Sequence, residues 1–448
     1  MLSRRPNDPP NTPLVLGLDV GTTRVKAMVF DAGGSPVTEP SSALTPRDPA
    51  ELVEGVASVI DQQVDEADEI SAVGISCYWH GLLVLDQKGR PAGEIKSWQD
   101  LGAEESALEL SAVIDPSDYH RRTGCFLHPS YPAMKIHRLL ETGGAPDGAR
   151  FAGPAEWLIR SLFGRFATSS SMAGATGLAR IGGEAYDPEV LSAVGVSEDR
   201  LPVIDDGTPA GLVPEFAQRW PSLTEARWLS PVGDGACAAA GSGCLTAADR
   251  AALSIGTSAA VRLITNSLPE APDGLFVYSL PGGRSLVGGA VSNAGNLMAW
   301  ARRALGLDDE DLEKALSQAE GSHRLAVRPY LAGRRSPDWP TDSEAVIEGV
   351  TLETSGIDLL QALVEAASED IASMVGQLES WAGSLPDLVA SGGVVERHPA
   401  WVRLICRKTG RRLHQAPEEN TAALGAALLA MEGLGVPLPS LPLGESIC

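Results

Sequence analysis

The chain is short of positive charge. Its 448 residues carry 58 Asp and Glu against 35 Lys and Arg, a formal balance of −23. Nucleic acid and anionic membrane surfaces both reward clustered cations, so neither is expected as a main partner. An acidic chain can still hold a phosphorylated ligand, but only through a local device: a glycine turn, a helix N-terminus or a metal ion. Cysteine is scarce as well. The six are Cys77, Cys125, Cys237, Cys244, Cys406 and Cys448, with no CxxC pair among them. At this length no disulfide framework is expected, and the pattern reads as reduced, buried thiols of a cytoplasmic protein. No apolar run reaches the roughly 20 residues that span a bilayer. The opening MLSRRPNDPPNTP lacks the apolar stretch of a signal peptide, and residues 1–13 read as a disordered tail.

What is present is a soluble globular composition, 44% apolar and 21% charged. The length favours two domains, each able to bury most of its apolar surface. VLGLDVGTTRVKAMVFD (15–31) reads as strand, Gly-Thr-Thr turn, strand. Residues 48–68 follow with Leu52, Val53, Val56, Val59, Ile60 and Val64 at helical spacing, then ISAVGIS (70–76) and LLVLD (82–86) as short strands. The opening recurs half a chain later. AALSIGTSAAVRLIT (251–265) lays Gly256-Thr257-Ser258 on Gly21-Thr22-Thr23, which suggests duplicated α/β domains facing one another across a cleft. A long helix over 357–381, a strand LVASGG (388–393), a helix opened by His398-Pro399 and closed by Gly410, and a small-residue helix over 419–433 complete the second half. The division falls at 14–245 and 246–440, with a less regular insertion around 95–230.

A glycine turn between strands lets backbone N–H groups face phosphate oxygens, and threonine hydroxyls add donors. Lys26 adds a positive charge, and Asp19, just before the turn, suits a hydrated Mg²⁺ held against phosphates. The alternative is a tight hairpin whose Asp bonds its own backbone. The Walker pattern GxxxxGK[ST] is absent. In SPVGDGACAAAGSG (230–243), Asp234 stands between glycines before a helical run. It reads as a helix N-cap or as a general base presented to a cleft, and the sequence leaves both open.

These segments, together with SGGVVERHPAWVRLICRKTG and TAALGAALLA, resemble the FGGY carbohydrate kinases, in order and over nearly the whole chain. The resemblance implies two ribonuclease-H-like, actin-like ATPase domains with a cleft between them, which close over sugar and ATP. It implies Asp19 for Mg²⁺ and Asp234 as the catalytic base. It implies Gly21, Thr22, Thr23, Lys26, Gly256, Thr257, Ser258, Gly295, Gly392 and Gly393 for the nucleotide.

For the acceptor it implies Trp79 and His80 in CYWHGLLVLD (77–86), Asp100 in WQDLG (98–102), His128 in TGCFLHPSYPAMKIHRLL (123–140), Asp234, and Arg335 in PYLAGRRSP (329–337). Segments 123–140, 169–178 and 276–295 look most like gluconate kinases. The chain departs from the family pattern in three places. The Arg of W-x-D-x-R is missing, Arg334 stands in place of the usual Glu, and Ser292 replaces an Asn. An Arg pair suits a carboxylate. The implied activity is therefore ATP-dependent phosphorylation of a small-molecule sugar or sugar acid, with D-gluconate first. Xylulose or another ketose or polyol, and a catalytically inactive sugar sensor, are the alternatives. A homodimer is left open.

Overall fold

A computed structural model describes residues 13–67, 69–209, 211–246, 250–340, 343–385 and 387–448. The expected N-terminal tail, Pro13 apart, and residues 247–249, just past the expected division at 245/246, lie outside the described residues. Two sheets of equivalent topology organise the chain. In the first, β1 (Leu14–Val20) pairs antiparallel with β2 (Arg24–Phe30), which pairs antiparallel with β3 (Ser41–Leu44). On the other side of β1 lies β4 (Ile70–Cys77), parallel, and beyond it β5 (Val232–Gly233), parallel again.

The second sheet repeats the pattern. Strands β6 (Arg250–Ile255) and β7 (Ala259–Thr265) are the antiparallel pair around the second Gly-Thr turn. β8 (Phe276–Leu280) and β9 (Arg284–Val291) extend that edge, while β10 (Asp387–Ser391) and β11 (Leu413–Gln415) lie parallel on the other. The repeated hairpin is thus the visible mark of a repeated sheet order, as an α/β duplication requires.

Helices cover the sheets where the apolar periodicity places them. Pro49–Glu66 starts on Asp48, whose side chain accepts from Ala50 N and Glu51 N, and buries Leu52, Val56, Val59 and Ile60 on the first sheet. Gly356–Ala382 starts on a Ser355/Asp358 capping box and buries Leu360, Val364, Ile371 and Leu378 against the second. Each such side chain contributes about 1.5–3 kcal/mol by leaving water. No helix among the described residues is long and apolar enough to cross a membrane.

The last helix, Thr421–Gly433, follows β11 in sequence yet packs on β1, β4 and the helix that begins at Asp234. The division of the sequence at 245/246 counts it with the second half; its contacts are with the first sheet. Glycines on both sides let the backbones touch. A Cβ on Gly17 would lie 2.1 Å from Ala423 O, and one on Gly74 2.0 Å from Ala426 O.

One expectation is overturned. Cys406 and Cys448 form a disulfide, while Cys77, Cys125, Cys237 and Cys244 are buried. The C-terminal segment runs back along β11, with Gln415 N donating to Glu445 O and Ile447 N to Leu413 O. That return brings Cys448 to the helix Pro399–Thr409 across 42 residues, a pairing no local spacing announces.

A Cβ on Gly425 would lie 1.8 Å from Cys237 O. Backbone cannot give way cheaply, and overpacking of this kind costs about 1–3 kcal/mol or more. Gly425→Val should therefore lower the thermal midpoint by several degrees in a melt followed by circular dichroism. An unchanged midpoint would contradict the close crossing.

Candidate active site

Parallel strands end together, and their carboxyl ends gather the first half of the site. Asp19 of β1 lies opposite Ser76 of β4, and Ser76 lies opposite Val232 of β5. Two residues past Val232 comes Asp234. The register therefore sets Asp19 and Asp234 on either side of β4. Ser76 Oγ donates to Asp19 Oδ1 at 2.8 Å. Burial pushes the Asp19 carboxyl up to about 6; the Ser76 bond opposes the rise, and the nearby Asp234 charge adds to it. Lys26, directly across β2 from Asp19, donates Nζ to Asn420 Oδ1 at 3.0 Å, at the start of the last helix.

Asp234 is not a helix cap. Gly233 occupies that position and Asp234 is the first helical residue, with Oδ1 accepting from Gly235 N at 2.8 Å. Burial pushes its carboxyl up, and the Arg262 guanidinium is the largest opposing influence. The flanking glycines are needed for space. A Cβ on Gly233 would lie 1.7 Å from the Trp79 indole, and one on Gly235 2.6 Å from Arg262 Nε. Of the two readings the sequence leaves open, capping is removed.

Trp79 is fixed by its Nε1 bond to Ser171 O at 3.1 Å and by an edge contact with Tyr278. His80 sits at φ 64°, with Nδ1 at 2.8 Å from Ala175 O and its ring against Tyr131. Tyr131 and Tyr278 share a hydroxyl bond of 2.8 Å. A cavity of about 230 Å³ opens beside them, lined from the first half by Trp98, His128 and Ser130 and from the second by Thr257, Ser292 and Arg335. His128 Nδ1 lies 2.8 Å from Ser130 Oγ. Arg335 donates to Ser292 Oγ at 3.2 Å and to Val291 O at 3.0 Å, and lies over the Trp98 ring. Burial lowers the Arg335 guanidinium to about 10.

Of the expected acceptor residues only His128 and Arg335 line this cavity; Trp79, His80 and Asp234 do not. Asp100 pairs with Lys96 at 3.6 Å and is absent from the cavity wall, to which its loop contributes Trp98, Gln99 and Leu101. Arg334 turns away to Asp338 at 3.2 Å and the Tyr330 ring, so it does not form a cleft pair with Arg335. Two cations went unremarked in the sequence. Lys135 donates to His80 O at 3.1 Å and Ser97 O at 2.6 Å, tying two cleft loops together; burial lowers its ammonium to about 7. Arg262 crowds Gly235, the residue after Asp234, and its charge acts on the Asp234 carboxyl. Its only sequence signal is a cation inside the apolar strand AAVRLIT.

The second half supplies converging glycine turns. Gly295 N donates to Gly256 O at 2.9 Å, and a Cβ on Gly295 would lie 2.6 Å from that oxygen. Gly392, at φ 101°, abuts Ile255. Gly256 itself faces open space, with nothing within 4 Å of an added Cβ. Opposite, Trp98 Nε1 donates to Thr22 Oγ1 at 3.2 Å.

Among the described residues no three His, Cys, Asp or Glu side chains cluster as a metal cage. A carboxylate beside a phosphate-type turn instead fits Mg²⁺, which keeps most of its waters and takes one or two carboxylates besides phosphate oxygens. Asp19 is that carboxylate. The arrangement provides a Gly-Thr turn from each half and a cavity walled by both halves, with two carboxylates, Asp19 and Asp234, at the ends of the first sheet's strands.

Comparison with known proteins agrees. Residues 14–220 match the N-terminal domain and residues 251–433 the C-terminal domain of the FGGY family of carbohydrate kinases. A gluconokinase of Bacillus subtilis is 25% identical over 95% of this chain and 88% of its own length. A xylulose kinase of Streptomyces rubiginosus is 29% identical over 93% of this chain and 87% of its own length. The solved structure of a ligand-bound xylulose kinase from Lactobacillus acidophilus superposes with a TM-score of 0.86 at 22% identity, covering 97% of this chain and 93% of that one.

Burial holds His80 and His128 neutral, each pushed down to about 3. The unfolded imidazoles titrate near pH 6.5, so below that pH the unfolded chain gains protons that the folded one refuses. Their share of stability is present above about pH 6.5 and is lost as pH falls towards 3. Asp19, raised to about 6, acts oppositely: it stabilises progressively as pH drops through 6. His128→Gln should reduce the loss of stability between pH 6.5 and 5 by about 1–2 kcal/mol, read from urea titrations at both pH values. Equal losses in variant and parent would show that His128 titrates freely.

Proposed function

The chain belongs to the FGGY family of carbohydrate kinases, and from that premise we propose that it transfers the γ-phosphoryl group of ATP to a terminal hydroxyl of D-gluconate, giving 6-phosphogluconate. The observation that carries a sugar acid is Arg335. Its half-buried guanidinium lines the chamber, donates only to neutral oxygens and meets no carboxylate among the described residues. An uncompensated buried charge costs several kcal/mol, which an anionic ligand with bidentate reach would offset. Arg262 adds a second buried cation, while both histidines are neutral. The gluconokinase relatives support the same acceptor. D-xylulose is the second reading, supported by xylulose kinases of similar identity.

In this reading the phosphates lie between Gly21-Thr22-Thr23 and Gly256-Thr257-Ser258, with Gly295, Gly392 and Gly393 shaping the nucleotide side. Backbone N–H groups and Lys26 offset their charge. Asp19 would hold Mg²⁺, which supplies further neutralisation of the phosphates when bound. Asp234 accepts the proton of the terminal hydroxyl and aligns its oxygen for in-line transfer. Trp79, His80 and His128 shape the acceptor site, and Lys135 fixes the loops that carry His80 and Trp98. Closure of the halves excludes water and limits ATP hydrolysis.

The acceptor is tested by ATP turnover over D-gluconate, D-xylulose, D-ribulose, glycerol and L-fuculose. D-gluconate should have the highest kcat/KM; a higher value for D-xylulose would replace the acceptor and leave the kinase reading standing. Asp234→Asn should lower kcat by about 10²–10⁴-fold with substrate affinities little changed. Near-parental turnover in a folded variant would remove Asp234 as the base. Gly256→Val, whose side chain meets no protein atom, should fold normally yet bind ATP more weakly. Unchanged ATP affinity would take that turn out of the site.

A further inference from the structure

Arg262 is unusual in its surroundings. It lies on β7 opposite Ala252 of β6 and Gly288 of β9, on the sheet face that meets the first half. Its neighbours on that face, Ala252, Ala260, Ile264 and Tyr278, belong to the apolar cluster of the first half. A guanidinium is expensive in such a place unless its charge is used. Nη1 donates to Ser254 Oγ at 2.7 Å, which fixes the stem of the fork to the second sheet. Nε is buried and makes no hydrogen bond among the described residues. The guanidinium reaches the first turn of the helix Asp234–Ala239, where a Cβ on Gly235 would lie 2.6 Å from Nε and 2.8 Å from Cζ. The Trp79 indole closes the other side of the same Gly235. The charges of Arg262 and Asp234 act on each other, and Arg262 is the largest influence favouring the ionised carboxylate.

We propose that Arg262 is a positioning residue for Asp234: anchored on the second sheet through Ser254, it reaches across the junction of the two halves and holds the Asp234 carboxylate aimed at the acceptor hydroxyl. The inference rests on Asp234 being the base. It explains why a cation interrupts an apolar interface strand, and why glycine is required at position 235. It also links base and nucleotide turn mechanically. Arg262 is borne by the strand that leaves the Gly256-Thr257-Ser258 turn, so a shift of that turn moves the residue that aims the base.

A double-mutant cycle on the full chain, assayed with ATP, Mg²⁺ and D-gluconate, tests this. Arg262→Gln should lower kcat by about 10- to 100-fold, with KM for both substrates changed by less than about threefold. Arg262→Lys should recover most of the loss, because it restores charge without the fork. In an Asp234→Asn background, Arg262→Gln should change the residual kcat by less than about twofold, since residues that act as a unit are not additive. The same loss in both backgrounds, parental kcat in Arg262→Gln, or no recovery by Lys would overturn the proposal. Parental kcat in Asp234→Asn alone would instead remove the base reading on which it rests. Circular dichroism and thermal midpoints accompany each variant. If Arg262→Gln does not fold, Arg262→Met, which suits the apolar junction, takes its place in the cycle with the same outcomes.

Discussion

The contact on which the site depends is a backbone crossing. The last helix meets the first sheet and the helix of Asp234 through glycines on both sides: Gly17 and Gly74 on the strands, Gly241 on the Asp234 segment, Gly425 on the last helix itself. An added Cβ at any of the four would fall within about 2 Å of a facing carbonyl oxygen. Close packing transmits displacement because nothing in it is compressible. β1 carries Asp19, β4 carries Ser76, and the Asp234 helix begins at the base; one helix presses on all three elements. Its leading residue, Asn420, also receives Lys26. The relative placement of the proposed metal carboxylate, its serine, the phosphate-side lysine and the base is set by the end of the chain.

Against that rigid frame stands an electrostatic arrangement that does not favour stability. Burial is the largest cause of every resolved shift among the cleft groups, raising Asp19 and Asp234 and lowering His80, His128, Lys135, Arg262 and Arg335. The Asp234 charge adds to the rise at Asp19. Structural ion pairs elsewhere look different. Arg219 spans Glu54 and Asp61 with close bonds, and hydrogen bonding raises its guanidinium instead of burial lowering it. Groups held out of water without matched partners are what a site prepared for charged ligands requires. The same groups would be poor choices for a fold selected on stability alone.

Much of this was legible in the sequence, and the remainder shares a cause. Two Gly-Thr turns with apolar flanks disclosed the duplication, because a strand, a turn and a strand are local. The glycines around Asp234 disclosed a close approach, though not that Trp79 and Arg262 are what approach. Arg334 and Arg335 are adjacent and chemically identical, yet one faces the chamber and the other Asp338; only the loop path separates them. Arg262 is not legible in the sequence, because a cation in a strand usually marks a solvated face, and which face of β7 meets the other half is a tertiary fact. The partnership of Cys406 with Cys448 and the docking of the last helix on the first sheet are likewise set by where the chain returns. Small residues in TAALGAALLA announced close packing without naming the surface.

The acceptor chamber belongs to neither half. Trp98, His128 and Ser130 come from one, Thr257, Ser292 and Arg335 from the other, and Arg262 of the second half reaches Gly235, beside the proposed base of the first. A ligand that fills the chamber therefore gains its contacts only where the halves meet, and that differential affinity is what shifts a population towards closure. Under the sugar-acid proposal, Arg335 sharpens the selection. In an empty chamber its charge opposes closure, because burial is uncompensated; an anionic acceptor reverses the sign by supplying the missing partner. A neutral sugar of the same size would fill the volume and leave that charge unmet. Selection for a sugar acid would then act less through the affinity of an open site than through which acceptor allows the phosphate turns and Asp234 to come together.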